Sequence, residues 1–153
     1  ARMEEFGLKA FLKTTGGKGL HIVLPLTPKH TWATIKPFTK AIAQSMAHDY
    51  PDRYIAMASK AARKGKIFVD YLRNDLTSTA VAPYAVRARE GAGVATPLFW
   101  DELSVKLKPS DYNIGTIAER LAQLKSDPWA DFLTTEQTID EDILTALKID
   151  IHI

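Results

Sequence analysis

The sequence predicts an α+β fold, and three observations carry that reading. A glycine-rich loop at residues 13–21 runs straight into an apolar strand at residues 20–26. An amphipathic helix follows, with Trp32, Ile35, Phe38, Ile42 and Met46 on one face at helical spacing. Beyond it, strands and helices interleave without the regular rhythm of a doubly wound βαβ fold. The chain has 153 residues, 46% hydrophobic and 25% charged, which suits one domain, or part of one, with a real core.

Composition removes several classes of function. No apolar run has the length of a membrane span, and the first residues carry no signal-peptide pattern. Absence of cysteine rules out disulfides and thiolate metal sites and is compatible with a reducing cytoplasm, the expected location. His21, His30, His48 and His152 form no ligand-spaced pair, so no zinc site is expected. The net charge of +2 hides an asymmetry: residues 1–90 hold 15 Lys/Arg against 7 Asp/Glu, and residues 91–153 hold 5 against 11. A basic half points to a polyanion on one face, although an unevenly solvated surface gives the same count.

Each element has a local cause. Residues 1–12 read as the end of a helix stopped at Gly7, an abrupt opening expected of a chain that starts inside a domain. The loop Lys13-Thr14-Thr15-Gly16-Gly17-Lys18-Gly19-Leu20-His21 has three glycines that let backbone N–H groups press against an anion. Lys13 and Lys18 add charge, and Thr15 adds a hydroxyl. It departs from a Walker A loop at Gly19, and the strand is expected after the loop, not before it. A plain turn is the alternative. The strand at residues 20–26 is apolar on nearly both faces and belongs in mid-sheet, with His21 on a covered or cleft-lining face; a satisfied core histidine is the bland reading.

Thr31 can cap the helix that follows, Pro37 should bend it or mark a late start, and Tyr50-Pro51-Asp52 ends it. Residues 53–60 read as helix again. Arg63-Lys64-Gly65-Lys66 is then a basic turn, either solvated or suited to a nucleic-acid backbone. In Ile67-Phe68-Val69-Asp70-Tyr71-Leu72-Arg73-Asn74, apolar residues predict a buried strand holding Asp70. A buried carboxylate needs a basic side chain or a hard metal ion such as Mg²⁺ or Mn²⁺. Residues 79–89 read as a strand interrupted at Pro83, which puts Arg87 and Arg89 on one face, where a phosphate would relieve their repulsion; otherwise they are a solvated pair. A short helix near Trp100, a capping box at Thr116 and Glu119, and a final helix capped from Thr138 complete the chain; residues 148–153 are a tail.

The loop resembles the second motif of archaeo-eukaryotic primases, and most closely the polymerase domain of bacterial DNA ligase D, where it usually reads K-T-S-G-G-K-G-L-H; Thr15 replaces the serine. The resemblance runs from about residue 6 to 132. Residues 67–74 are similar to the family's I-F-I-D-Y-L-R-N. Residues 82–91 are similar to A-x-Y-S-x-R-A-R-x-G, with Ala85 where serine is common, and residues 96–103 to T-P-L-x-W-x-E-L. Asp127-Pro128-Trp129 matches the usual end of that domain.

The resemblance implies a mixed or mainly antiparallel sheet flanked by helices, primase-polymerase-like but incomplete. Residues 1–132 would be the C-terminal part of the domain and 133–153 a capping helix and tail. It implies nucleotidyl transfer with two divalent ions, Mg²⁺ or Mn²⁺, and a nucleoside triphosphate as substrate. Asp70 would be the catalytic metal ligand. Thr15, Gly16, Gly17, Lys18, His21, Arg87 and Arg89 would hold the triphosphate, with Arg63, Lys64, Lys66 and Arg73 on the DNA or primer side. DNA ends, a fused or associated ATP-dependent ligase and the end-binding protein Ku are the implied partners. The family's upstream D-x-D pair has no counterpart before the loop, and Asp49 to Asp52 and Asp140 to Asp142 stand in the wrong places to replace it. The chain alone is therefore expected to be inactive. A non-catalytic phosphate or nucleic-acid module of a repair complex, and a phosphate-binding protein with no nucleic-acid role, are the alternatives.

Overall fold

The computed structural model describes residues 2–149, so the last four residues of the expected tail lie outside the described residues. In chain order the elements are α1 (Arg2–Glu5), β1 (Phe11–Thr14), β2 (Leu20–Val23), α2 (Trp32–Asp49), β3 (Tyr54–Ile55), β4 (Ile67–Phe68), β5 (Pro97–Leu98), α3 (Ile117–Gln123) and α4 (Glu141–Ala146). The α+β class is as expected, and the sheets are mixed in kind: β2-β1-β5 is antiparallel, whereas β3-β4 is a two-stranded parallel pair. The chain forms two compact units. The first is built from Met3–Pro25 and Val81–Gln137, the second mainly from Leu26–Ala80 and residues after 137.

In the first unit β1 is the central strand, buried on both faces, with Lys13 in register opposite His21 and Leu12 opposite both Ile22 and Leu98. No strand was expected at residues 11–14, because Lys13 and Thr14 break its apolar pattern. Each polar group is nonetheless satisfied. The fully buried Thr14 hydroxyl donates to Val94 O at 3.0 Å and accepts from the Thr96 N–H at 2.8 Å. Such pairing offsets the cost of burying a hydroxyl. Phe11 packs edge-on to Trp129 and Phe132, whose rings stack at 4.7 Å, and the Trp129 indole N–H donates to Leu12 O. Arg120 on α3 forks onto Glu102 at 2.6 and 3.0 Å and also reaches Pro97 O, tying α3 to the end of β5.

The second unit carries α2, whose buried face is Thr34, Phe38, Ile42 and Ala43; the helix runs through Pro37 without ending. Ile139, Ile143 and Leu144 are also buried in this unit.

Several local expectations are overturned. β2 lies at the edge of its described sheet, with Leu20 and Ile22 exposed, because β1 takes the centre. A strand precedes the glycine loop as well as follows it, so the loop is the tip of a hairpin. Residues 53–60 are not helical: Tyr54 and Ile55 pair with Ile67 and Phe68, a long-range ladder that overrides local preference. Residues 79–89 form no strand, since Tyr84 takes a left-handed φ of 61° and only Val86 makes a bridge, to Val94. The strand containing Ile67 stops at Phe68, and Asp70 is exposed, not buried within it. Residues 96–103 divide into β5 and a 3₁₀ turn at Trp100–Glu102. None of the three capping threonines makes a side-chain cap bond: Thr31 and Thr116 stand at the N-caps of α2 and α3 without one, Thr116 Oγ1 donating instead to Asp111 O, and Asp140 takes the N-cap of α4 while Thr138 Oγ1 bonds His30 Nε2 at 2.9 Å.

Candidate nucleotide-binding site

The β1–β2 hairpin closes on itself before it offers anything to a ligand. Thr15 N–H and its hydroxyl both donate to Gly19 O at 3.1 Å, and the Gly17 N–H reaches the same hydroxyl at 3.3 Å. Gly16 turns the chain at φ 67°, a conformation that suits glycine. Lys18 stands exposed at the tip.

Residues 87–93 fold onto this tip. Arg87 passes so close to Gly16 that a Cβ there would lie 2.6 Å from Arg87 Cγ. A Cβ on Gly17 would lie 2.8 Å from the Arg89 guanidinium. Thr15, Gly16, Gly17, Arg87 and Arg89 are therefore brought together, as expected, but from an irregular segment and not from one face of a strand. Sequence reasoning did not place Gly93 in the site. Its carbonyl accepts from the Arg87 N–H at 2.8 Å, and the only cue was the Gly91-Ala92-Gly93 run.

Lys13, expected to supply charge, is buried, and its charge feels that of Arg87. It is 2% exposed and its Nζ donates to Val81 O at 2.8 Å. Burial, with the nearby Arg87 guanidinium adding to it, pulls its pKa down to about 8 from the ordinary 10.5. Among the described residues no ion pair joins Lys13, Lys18, Arg87 or Arg89 to a carboxylate. Cations gathered without acids create a demand for an external anion, and backbone turned at glycine lets one approach.

This burial makes a stability prediction. Between pH about 8 and 10.5 the unfolded chain holds Lys13 protonated while the folded chain has released the proton, so stability rises with pH through that window, and at pH 7 the full penalty is present. Lys13→Met removes the penalty but leaves Val81 O without its donor, a loss of about 1 kcal/mol. A net gain of about 1–2 kcal/mol at pH 7 is expected. Urea unfolding at pH 7 and 9.5 checks it: the gain should shrink at the higher pH, and a gain independent of pH would contradict it.

The second unit holds the remaining expected residues. Asp70 is exposed, and its Oδ1 accepts from the Leu72 N–H at 3.0 Å in a local turn. That is one hard oxygen donor. Among the described residues no group of three His, Cys, Asp or Glu could hold a metal ion, so these residues do not compose a two-ion centre by themselves. Arg63 is engaged within its unit: it stacks 3.8 Å over the Phe68 ring and donates to Ala58 O at 2.6 Å. Lys64, Lys66 and Arg73 are exposed. Lys66 lines an open groove of about 540 Å³ with Tyr54, Met57, Tyr71 and Leu72, and a second concavity of about 440 Å³ lies beside Tyr112 and Arg120 in the first unit. Neither includes the glycine hairpin.

Comparison with known proteins decides the family, because a model described as the LigD primase-polymerase domain matches residues 1–129. The chain belongs to the LigD primase-polymerase family. It is 46% identical over 138 residues to the multifunctional non-homologous end joining protein LigD of Pseudomonas aeruginosa, covering 90% of this chain and 16% of that protein. Against the bifunctional non-homologous end joining protein LigD of Bacillus subtilis it is 29% identical, covering 88% of this chain and 22% of the relative. The chain thus spans about a fifth or less of the length of these LigD proteins. Its structure resembles the polymerase domain of Mycobacterium tuberculosis ligase D in complex with DNA, with a TM-score of 0.72 at 30% identity, over 80% of this chain and 42% of the other. No helix among the described residues is long and apolar enough to cross a membrane.

Proposed function

We propose that this chain is the triphosphate- and DNA-binding portion of a LigD primase-polymerase that adds nucleotides at DNA ends during non-homologous end joining, in the bacterial cytoplasm. One observation supports it above the rest: Arg87 and Arg89 lie on the Gly16–Gly17 tip, Arg87 near the buried Lys13, and among the described residues no ion pair joins any of the three to a carboxylate. The relatives' names and the DNA bound to the structural neighbour point the same way.

In this reading Thr15, Gly16, Gly17, Lys18 and His21 receive the phosphates of a nucleoside triphosphate, and Arg87 and Arg89 neutralise their charge. Lys64, Lys66 and Arg73, with Arg63 held against Phe68, form the DNA or primer side. Asp70 is a ligand for Mg²⁺ or Mn²⁺, which would supply charge neutralisation at the transferred phosphate. Residues 1–132 form the polymerase part and the helix that follows caps it. A linked ATP-dependent ligase and Ku are the partners that this reading implies.

Two-ion transfer needs more carboxylates than Asp70 provides, so the 153 residues by themselves should transfer no nucleotide. Calorimetric titration of the full chain with inorganic triphosphate, alongside titration with a DNA end at 50 and 200 mM salt, tests the binding claim. Both ligands should bind, and DNA affinity should fall by about tenfold or more across that salt range, since phosphate contacts release counterions. Triphosphate binding without salt-sensitive DNA binding would favour a phosphate-binding protein instead. Nucleotide addition to a primer by these 153 residues would contradict the expected inactivity.

A further inference from the structure

We infer that Gly93 is the positioning residue of the triphosphate site: its backbone locks Arg87 onto the hairpin tip. The inference rests on the phosphate-binding reading of that tip. Gly93 and Gly16 approach backbone to backbone, so closely that a Cβ on Gly93 would lie 2.4 Å from Gly16 O and 2.9 Å from Gly16 C. Those are rigid main-chain atoms that cannot swing aside. From the other side, a Cβ on Gly16 would lie 2.8 Å from Gly93 O.

The same Gly93 carbonyl accepts the Arg87 N–H at 2.8 Å, and Arg87 Cγ runs over Gly16. Gly93 is itself held from behind by a bridge to Asn113, while Val94 N–H donates to Tyr112 O and Ile114 N–H to Ala92 O. Three backbone segments therefore meet at one residue without a side chain. The tip cannot shift relative to the Arg87 backbone while that contact persists. The phosphate-facing geometry of Arg87 is set here, and not by any partner of its guanidinium, which has no ion pair among the described residues.

Gly93 has an ordinary φ, so alanine at this position is permitted by its own backbone and fails only by collision with the tip. A residue that acts through another should lose its effect when that other is removed. The test is a double-mutant cycle on the full chain, comparing wild type, Gly93→Ala, Arg87→Ala and the double variant by calorimetric titration with inorganic triphosphate. Gly93→Ala should weaken binding about tenfold when Arg87 is present and less than about twofold when it is absent. An equal loss in both backgrounds, or no loss, overturns the inference. A wild type that fails to bind triphosphate overturns the phosphate site itself. Should Gly93→Ala fail to fold, hydrogen exchange of wild type decides: triphosphate should slow exchange of the Arg87 amide, and unchanged exchange overturns the role.

Discussion

Arg87→Ala is expected to weaken binding of inorganic triphosphate by about 1.5–3 kcal/mol, roughly 10- to 150-fold in Kd, the value of a charged hydrogen bond to an anion. The effect should be large because Arg87 is half-buried against Gly16 and makes no ion pair among the described residues, so little of its charge is spent there. Folding stability should hardly change or even rise, since removing Arg87 relieves its repulsion of the buried Lys13. Calorimetry for binding and urea unfolding for stability separate the two effects. Unchanged triphosphate affinity would remove Arg87 from the site. Arg89→Ala should behave similarly but more weakly, because Arg89 is exposed and its charge is better screened.

Asp70→Asn is expected to lower nucleotide addition by at least about 100-fold when measured in a protein carrying the whole polymerase domain, since losing a metal-ligating carboxylate removes several kcal/mol of charge stabilisation. The exposed carboxylate makes one local hydrogen bond, to Leu72 N–H, which asparagine's amide oxygen can also accept. Stability and metal-free triphosphate binding should therefore stay as in wild type. Activity within about threefold of wild type would show that Asp70 does not hold the ion.

Chemistry concentrated in a short stretch was legible from the residues. The glycines and threonine of residues 15–19 specify a tight turn wherever they sit, whereas the Arg87-x-Arg89 pair was expected on one face of a strand and reaches the same tip from an irregular segment. What was not legible depends on distant neighbours. β1 escaped notice because Lys13 and Thr14 look like surface residues until Val81, Val94 and Thr96 are seen to satisfy them. Residues 53–60 follow helical preference locally, yet Tyr54 and Ile55 gain a ladder with a strand a dozen positions on. The run at residues 67–72 looked buried because it is apolar, but Ile67 is 64% exposed and Asp70 sits in a turn beyond the short β4. Gly93 illustrates the same limit. A glycine marks a close approach without naming what approaches, and here it is Gly16, far back in the chain.

Lys13 shows how stability and function can pull in opposite directions at such a site. A buried cation beside Arg87 weakens the fold at neutral pH, and in the proposed site the same placement would deepen the positive potential offered to an anion.

The most direct measurement is amide chemical-shift mapping of the isotope-labelled chain during titration with inorganic triphosphate. The largest changes should fall on Gly16, Gly17 and Lys18 and on the amides of Arg87, Arg89 and Gly93, and they should saturate together. Changes centred on the groove beside Tyr54 and Lys66, or on the concavity beside Arg120, or none at all, would contradict a polyphosphate site at the glycine hairpin.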